Sequence, residues 1–132
     1  ERLQPFFQHM GPAWTATSTL PGGEISGADF EQFLADIHTR YPWLPQALIK
    51  HYARSYGTRM HALLGNAKSI ENLGRYFGAN LYEREAKFLI DEEWAQTSDD
   101  ILERRSKHGL HMTSLQKKEF ADWLNSYLAA WQ

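Results

Sequence analysis

The feature that most constrains this chain is the apolar row near its end. Phe120, Trp123, Leu124, Tyr127, Leu128 and Trp131 follow a spacing of i, i+3, i+4, i+7, i+8 and i+11. That period places all six on one side of an α-helix. Thr113 and Gln116 precede the row in the order of a capping box, in which a hydroxyl and an amide satisfy the free N–H groups at a helix start. A helix with so wide an apolar face is not stable alone in water. It must be covered by other elements, and the rest of the chain has to supply them.

It does so mostly with more helix. Ser26, with Asp29 three residues on, is expected to cap a helix whose buried face is Phe30, Phe33, Leu34 and Ile37. Pro42 ends that helix, because the residue before a proline is pushed out of the helical region. Pro45 suits the first turn of the next, whose stripe is Leu48, Ile49, Tyr52 and Tyr56, and Gly57 stops it. Thr58 is expected to cap a short helix carrying Met60, Leu63 and Leu64. Residues 66–80 hold Gly74 and Gly78 and read as a loop with at most a turn of helix. Tyr82, Ala86, Leu89 and Ile90 mark a further helix. Thr97 or Ser98 is expected to cap another, closed by Gly109. No alternating run of convincing length predicts a strand. The expected fold is all-α, an irregular bundle of about six helices with an N-terminal extended and turn segment, residues 1–25, ahead of a helical domain, residues 26–132.

Size and composition narrow the function classes. The 132 residues suit one domain, and 42% hydrophobic with 14% aromatic content is enough for a real core. The formal net charge of −2 argues against a nucleic-acid partner, since phosphate contacts call for a basic surface. There are no cysteines, which removes disulfides, thiolate nucleophiles and cysteine-type zinc sites. No apolar run approaches the roughly 20 residues that span a bilayer. The sequence begins at Glu1 rather than Met, as expected of a piece of something longer.

The stretch Thr97–His111, TSDDILERRSKHGLH, is the chief candidate for a binding site. Arg104, Arg105 and Lys107 form a candidate contact for an anion or an acidic partner, because the guanidinium fork suits carboxylate and phosphate alike. The same charges also fit an ordinary helix. Asp99, Asp100 and Glu103 stand at its positive end, the bases stand at its negative end, and Asp100 precedes Arg104 by four. Lys50, Arg54 and Arg59 add a basic face that would suit anionic lipid.

Other constellations fall short. His108 and His111 have a ligand-like spacing, but Gly109 interrupts them and no third ligand is near in sequence. His38, His51 and His61 lie on separate helices. The acids at Asp91–Glu93 and Asp99–Asp100 read as solvated charge, and no serine sits in a nucleophile elbow. The turn Leu20–Gly23 lacks the spaced glycines and the preceding strand of a phosphate loop. No catalytic, cofactor-binding or metal-ligating residue is assigned.

Four segments, GPAWTATSTLPGGE (11–24), RYPWLPQALIKHYARSYGTRMHALLGNA (40–67), LYEREAKFLIDEEWAQTSDDILERRSKHGL (81–110) and the closing helix, together resemble the C-terminal region of the aerobic, FAD-dependent glycerol-3-phosphate dehydrogenases. The order and spacing match over essentially the whole chain. The resemblance implies a parent flavoenzyme that oxidises sn-glycerol 3-phosphate to dihydroxyacetone phosphate and passes electrons to quinone. It implies a cytoplasmic, peripheral-membrane location. FAD and the substrate would be held upstream, in a catalytic domain to which residues 1–25 are the exit. The chain itself would be a non-catalytic accessory domain without FAD. Its partners would be that upstream domain, with homo-oligomer and membrane contacts for the parent. Two alternatives stay open: a helical interaction or dimerisation module, and the same domain in a glycerol-3-phosphate oxidase.

Overall fold

A computed structural model describes Ser18 and residues 29–130. The expected cap at Ser26, the turn at Leu20–Gly23 and the end of the closing stripe at Trp131 lie outside the described residues.

Five α-helices carry the fold: α1 (Phe30–Arg40), α2 (Gln46–Tyr56), α3 (Met60–Leu64), α4 (Glu83–Glu93) and α5 (Ser114–Ala129). The all-α reading holds, with one α-helix fewer than expected among the described residues. Helix α1 is capped by Asp29, whose Oδ1 accepts from the Gln32 N–H at 3.0 Å. Phe33 and Ile37 form its buried face, and Tyr41, ahead of Pro42, closes it. Pro45 precedes α2 and its carbonyl accepts from Leu48 and Ile49. Gly57, at φ 54°, ends α2 and opens a 3₁₀ turn, Gly57–Arg59, that runs directly into α3. Arg59, not Thr58, therefore stands at the N-cap position of α3.

The expected loop over 66–80 is more ordered than the sequence suggests. A 3₁₀ turn, Ile70–Leu73, leads into an antiparallel hairpin of β1 (Tyr76–Gly78) and β2 (Leu81–Tyr82). Ala79 and Asn80 connect the strands with φ of 48° and 64°. Two positive φ values in a two-residue connection are the signature of a type I′ turn, whose twist matches that of paired strands. Strands this short show no readable alternation.

The helix expected over Thr97–Gly109 also differs. It does begin at Thr97: the Asp100 N–H meets Thr97 Oγ1 at 3.1 Å, while Asp100 Oδ2 accepts from the Thr97 N–H at 3.1 Å. From Asp100 to Arg105 the backbone widens into a π-helix. Lys107 then turns left-handed at φ 57°, and a 3₁₀ turn, His108–His111, follows. Gly109 lies inside that turn rather than closing a helix. The helix stops at Ser106, whose hydroxyl donates to the Ile101 carbonyl at 2.6 Å.

Helix α5 has the full capping box: Thr113 Oγ1 accepts from the Gln116 N–H, and Gln116 Oε1 accepts from the Thr113 N–H. Phe120 and Leu124 are buried. The Phe77 ring of β1 stands edge-on to Phe120 at 5.0 Å and tilts against Trp123 at 4.9 Å. This covers the face that the sequence requires to be covered. Each such buried aromatic contributes roughly 1.5–3 kcal/mol relative to exposure. The core continues through Tyr52, Leu64, Leu73, Leu81, Leu89 and Ile101, all fully buried.

A buried histidine–glutamate centre

Glu85 lies in the first turn of α4 and is fully buried. Its neighbours explain how a carboxylate survives there. His51, on α2, places Nε2 2.7 Å from Glu85 Oε1. The Tyr56 hydroxyl, one and a half turns further along α2, donates to the same oxygen at 2.6 Å. His108, from the 3₁₀ turn before α5, brings Nε2 to 3.2 Å from both carboxylate oxygens. Burial raises the pKa of Glu85, but hydrogen bonds from His108 and His51, and the charge of those rings, outweigh it and bring the carboxyl down to about 2. The side chain is held ionised.

The two histidines are themselves oriented. The His108 Nδ1–H donates to the carbonyl of Ala79 at 2.8 Å, and that carbonyl belongs to the left-handed turn of the hairpin. His51 Nδ1 faces Ser55 Oγ at 3.5 Å, one turn along α2. The rings lie edge to face with centroids 4.6 Å apart. Burial, then the charge of Glu85, raises the pKa of Tyr56 far above the ordinary phenol range. The same two causes, in the same order, act on Tyr52, whose buried hydroxyl has no hydrogen-bond partner among the described residues.

The proton count at His108 has a consequence. A carbonyl only accepts, so Nδ1 must carry a proton. A neutral ring so fixed turns the Nε2 lone pair toward a carboxylate. The order Ser55, His51, Glu85 mimics a nucleophile triad, but Ser55 is exposed and its contact lies at the edge of hydrogen-bond range.

Within the basic run, Arg104 and Arg105 pair with different acids. Arg104 is exposed and pairs with Asp100 at 3.2 Å, one turn back. Arg105 reaches Glu93 Oε2 at 3.1 Å. Glu93 also pairs with Arg59, which in turn lies over the Phe88 ring at 5.3 Å. Lys107 is exposed at its left-handed turn. Lys50 and Arg54 line a groove between α1 and α2 with Glu31 and His38, apart from Arg59. Sequence reasoning passed over Glu85, yet a signal was present: Tyr82, Phe88 and Leu89 flank it at i−3, i+3 and i+4, so it sits within an apolar stripe.

Residues 13–126 match the family described as the C-terminal domain of alpha-glycerophosphate oxidase. The aerobic glycerol-3-phosphate dehydrogenase of Escherichia coli is 45% identical over 127 residues, 96% of this chain and 25% of the relative. The D-erythritol 1-phosphate dehydrogenase of Brucella abortus is 43% identical over 125 residues, 95% of this chain and 25% of the relative. A glycerol-3-phosphate dehydrogenase of Pseudomonas aeruginosa is 43% identical over 95% of this chain and 24% of its own length. The chain thus spans about a quarter of the length of these relatives.

Proposed function

The chain belongs to the family of alpha-glycerophosphate oxidase C-terminal domains, and on that premise we propose that it is the helical accessory domain of an FAD-dependent enzyme that oxidises a polyol phosphate. The substrate in this reading is sn-glycerol 3-phosphate, the product dihydroxyacetone phosphate, and the electron acceptor quinone. The observation that carries the reading is the near-complete alignment of this chain, at 43–45% identity, with a quarter of each of three polyol phosphate dehydrogenases.

The described residues do not fit FAD. A dinucleotide site needs a glycine-rich turn between a parallel strand and a helix, and the sheet here is a two-stranded antiparallel hairpin. In this reading the flavin is held by an upstream catalytic domain, and no step of the oxidation is assigned to the described residues. No described helix is long and apolar enough to cross a membrane.

The test is to assay the full-length protein that contains this chain. It should purify with bound flavin and reduce an acceptor dye when given sn-glycerol 3-phosphate. The presence of a D-erythritol 1-phosphate dehydrogenase among the relatives supports a second reading, in which the four-carbon phosphate is the better substrate. A side-by-side comparison of kcat/KM separates the two. A flavin-free protein, or one that oxidises neither, would overturn the proposal.

A further inference from the structure

We propose that His51, Glu85 and His108 form a binding site for a divalent metal ion of the zinc class, one that ties α2, α4 and the turn before α5 together. Two imidazole nitrogens and one carboxylate oxygen, all within 4.8 Å of one another, are a donor set suited to zinc rather than to calcium or magnesium. The nitrogen–carboxylate separations are close to those around a coordinated ion, with all three donors within 4.8 Å of one another. Ligand atoms about 2.0–2.1 Å from a tetrahedral zinc stand roughly 3.3 Å apart. His108 Nε2 already lies 3.2 Å from both Glu85 oxygens, and His51 Nε2, now at 2.7 Å, must retreat by roughly 0.6 Å. His51 is the ligand with room to do so, being 20% exposed while Glu85 is fully buried. It also offers the entry path.

The surroundings match what metal ligands require of their neighbours. A ligating histidine donates its other N–H to an oxygen, which fixes the tautomer and aims the free nitrogen inward. His108 does this with the Ala79 carbonyl. The Ser55 hydroxyl stands at the corresponding side of His51. Tyr56 steadies the carboxylate by its hydrogen bond. The Tyr52 ring packs against the His51 ring at 5.3 Å, and its buried hydroxyl has no hydrogen-bond partner among the described residues. The competing arrangement is direct hydrogen bonding of both rings to Glu85, and the experiment is chosen to separate the two. The site stands on this chain's own residues, so failure of the polyol phosphate reading leaves it intact.

The full-length protein is purified without a histidine tag, stripped with chelator, loaded with Zn²⁺ and desalted, and its zinc is measured by elemental analysis. The expected result is about one zinc per chain more than the Glu85→Gln variant retains. A variant with His38→Ala and His111→Ala, both exposed in the structure, should retain as much as wild type. X-ray absorption at the zinc edge should show two imidazole ligands, and this reading needs no variant to fold. Wild type that retains no zinc, retention lost with His38 and His111 instead, or a zinc shell without histidine would overturn the proposal.

Discussion

His108 and Ala79 meet across the fold: the His108 Nδ1–H donates to the Ala79 carbonyl at 2.8 Å, and Ala79 holds φ of 48° to present it. A left-handed alanine costs of order 1 kcal/mol. The type I′ turn that imposes it also turns the chain from β1 into β2, directly before α4, which carries Glu85. Backbone strain and site geometry are thus linked through one peptide. Ala79→Gly should hold or raise stability, by up to about 1 kcal/mol, since glycine tolerates the conformation. Ala79→Val should lower it by roughly 1–2 kcal/mol, because a branched side chain does not. Urea denaturation of the two variants measures both.

Tyr56 and Tyr52 stand one turn apart on α2 and make opposite predictions. Tyr56 donates to a buried carboxylate, and Tyr56→Phe should cost about 1.5–3 kcal/mol, the range for a hydrogen bond to a charged group. Tyr52 has no partner for its hydroxyl, so Tyr52→Phe should be neutral or stabilising in metal-free protein. Denaturant midpoints of the two single variants check the contrast.

His61 gives the fold a pH dependence remote from the centre. The Tyr41 hydroxyl lies 2.9 Å from its Nδ1, and burial followed by the charge of Arg40 lowers its pKa below the ordinary 6.5. The folded state thus prefers the neutral ring and the unfolded state binds the proton more readily. The contribution is complete above pH 6.5 and declines as pH falls through the folded pKa. His61→Gln should flatten this part of the curve. Urea midpoints taken from about pH 7 down to about pH 5 would show it.

The basic run should be energetically uneven. Arg104→Ala removes one exposed pair and should change stability by less than about 0.5 kcal/mol. Glu93→Gln weakens the links to both Arg59 and Arg105 and should cost more, up to about 1 kcal/mol, with the difference shrinking as salt is raised. Thermal unfolding at low and high salt measures both.

The elements that sequence revealed are those built from neighbours. The α5 capping box is a contact between residues three apart, and its stripe repeats within one helix, so both are visible in the letters. The hairpin is not, because β1 and β2 are too short to show a period and its turn uses Ala79 where glycine would be the signal. The π-helix is hidden because a widened turn keeps nearly the same apolar spacing as an α-helix. Spacing near His51 and His108 shows no third ligand, because Glu85 lies 34 positions from one and 23 from the other. Only the glutamate left a local trace, as a charge inside an apolar stripe. The family resemblance read from four segments agrees with the family match over residues 13–126.

In the proposed site, α2, α4 and the turn before α5 bring three side chains to one cation. Anomalous diffraction tests it most directly, from crystals of the full-length protein grown with zinc and measured on either side of the zinc edge. A zinc peak is expected between His51 Nε2, His108 Nε2 and a Glu85 oxygen. Zinc bound elsewhere in the same crystal, with His51 and His108 still hydrogen-bonded to Glu85 and no peak between them, would contradict it.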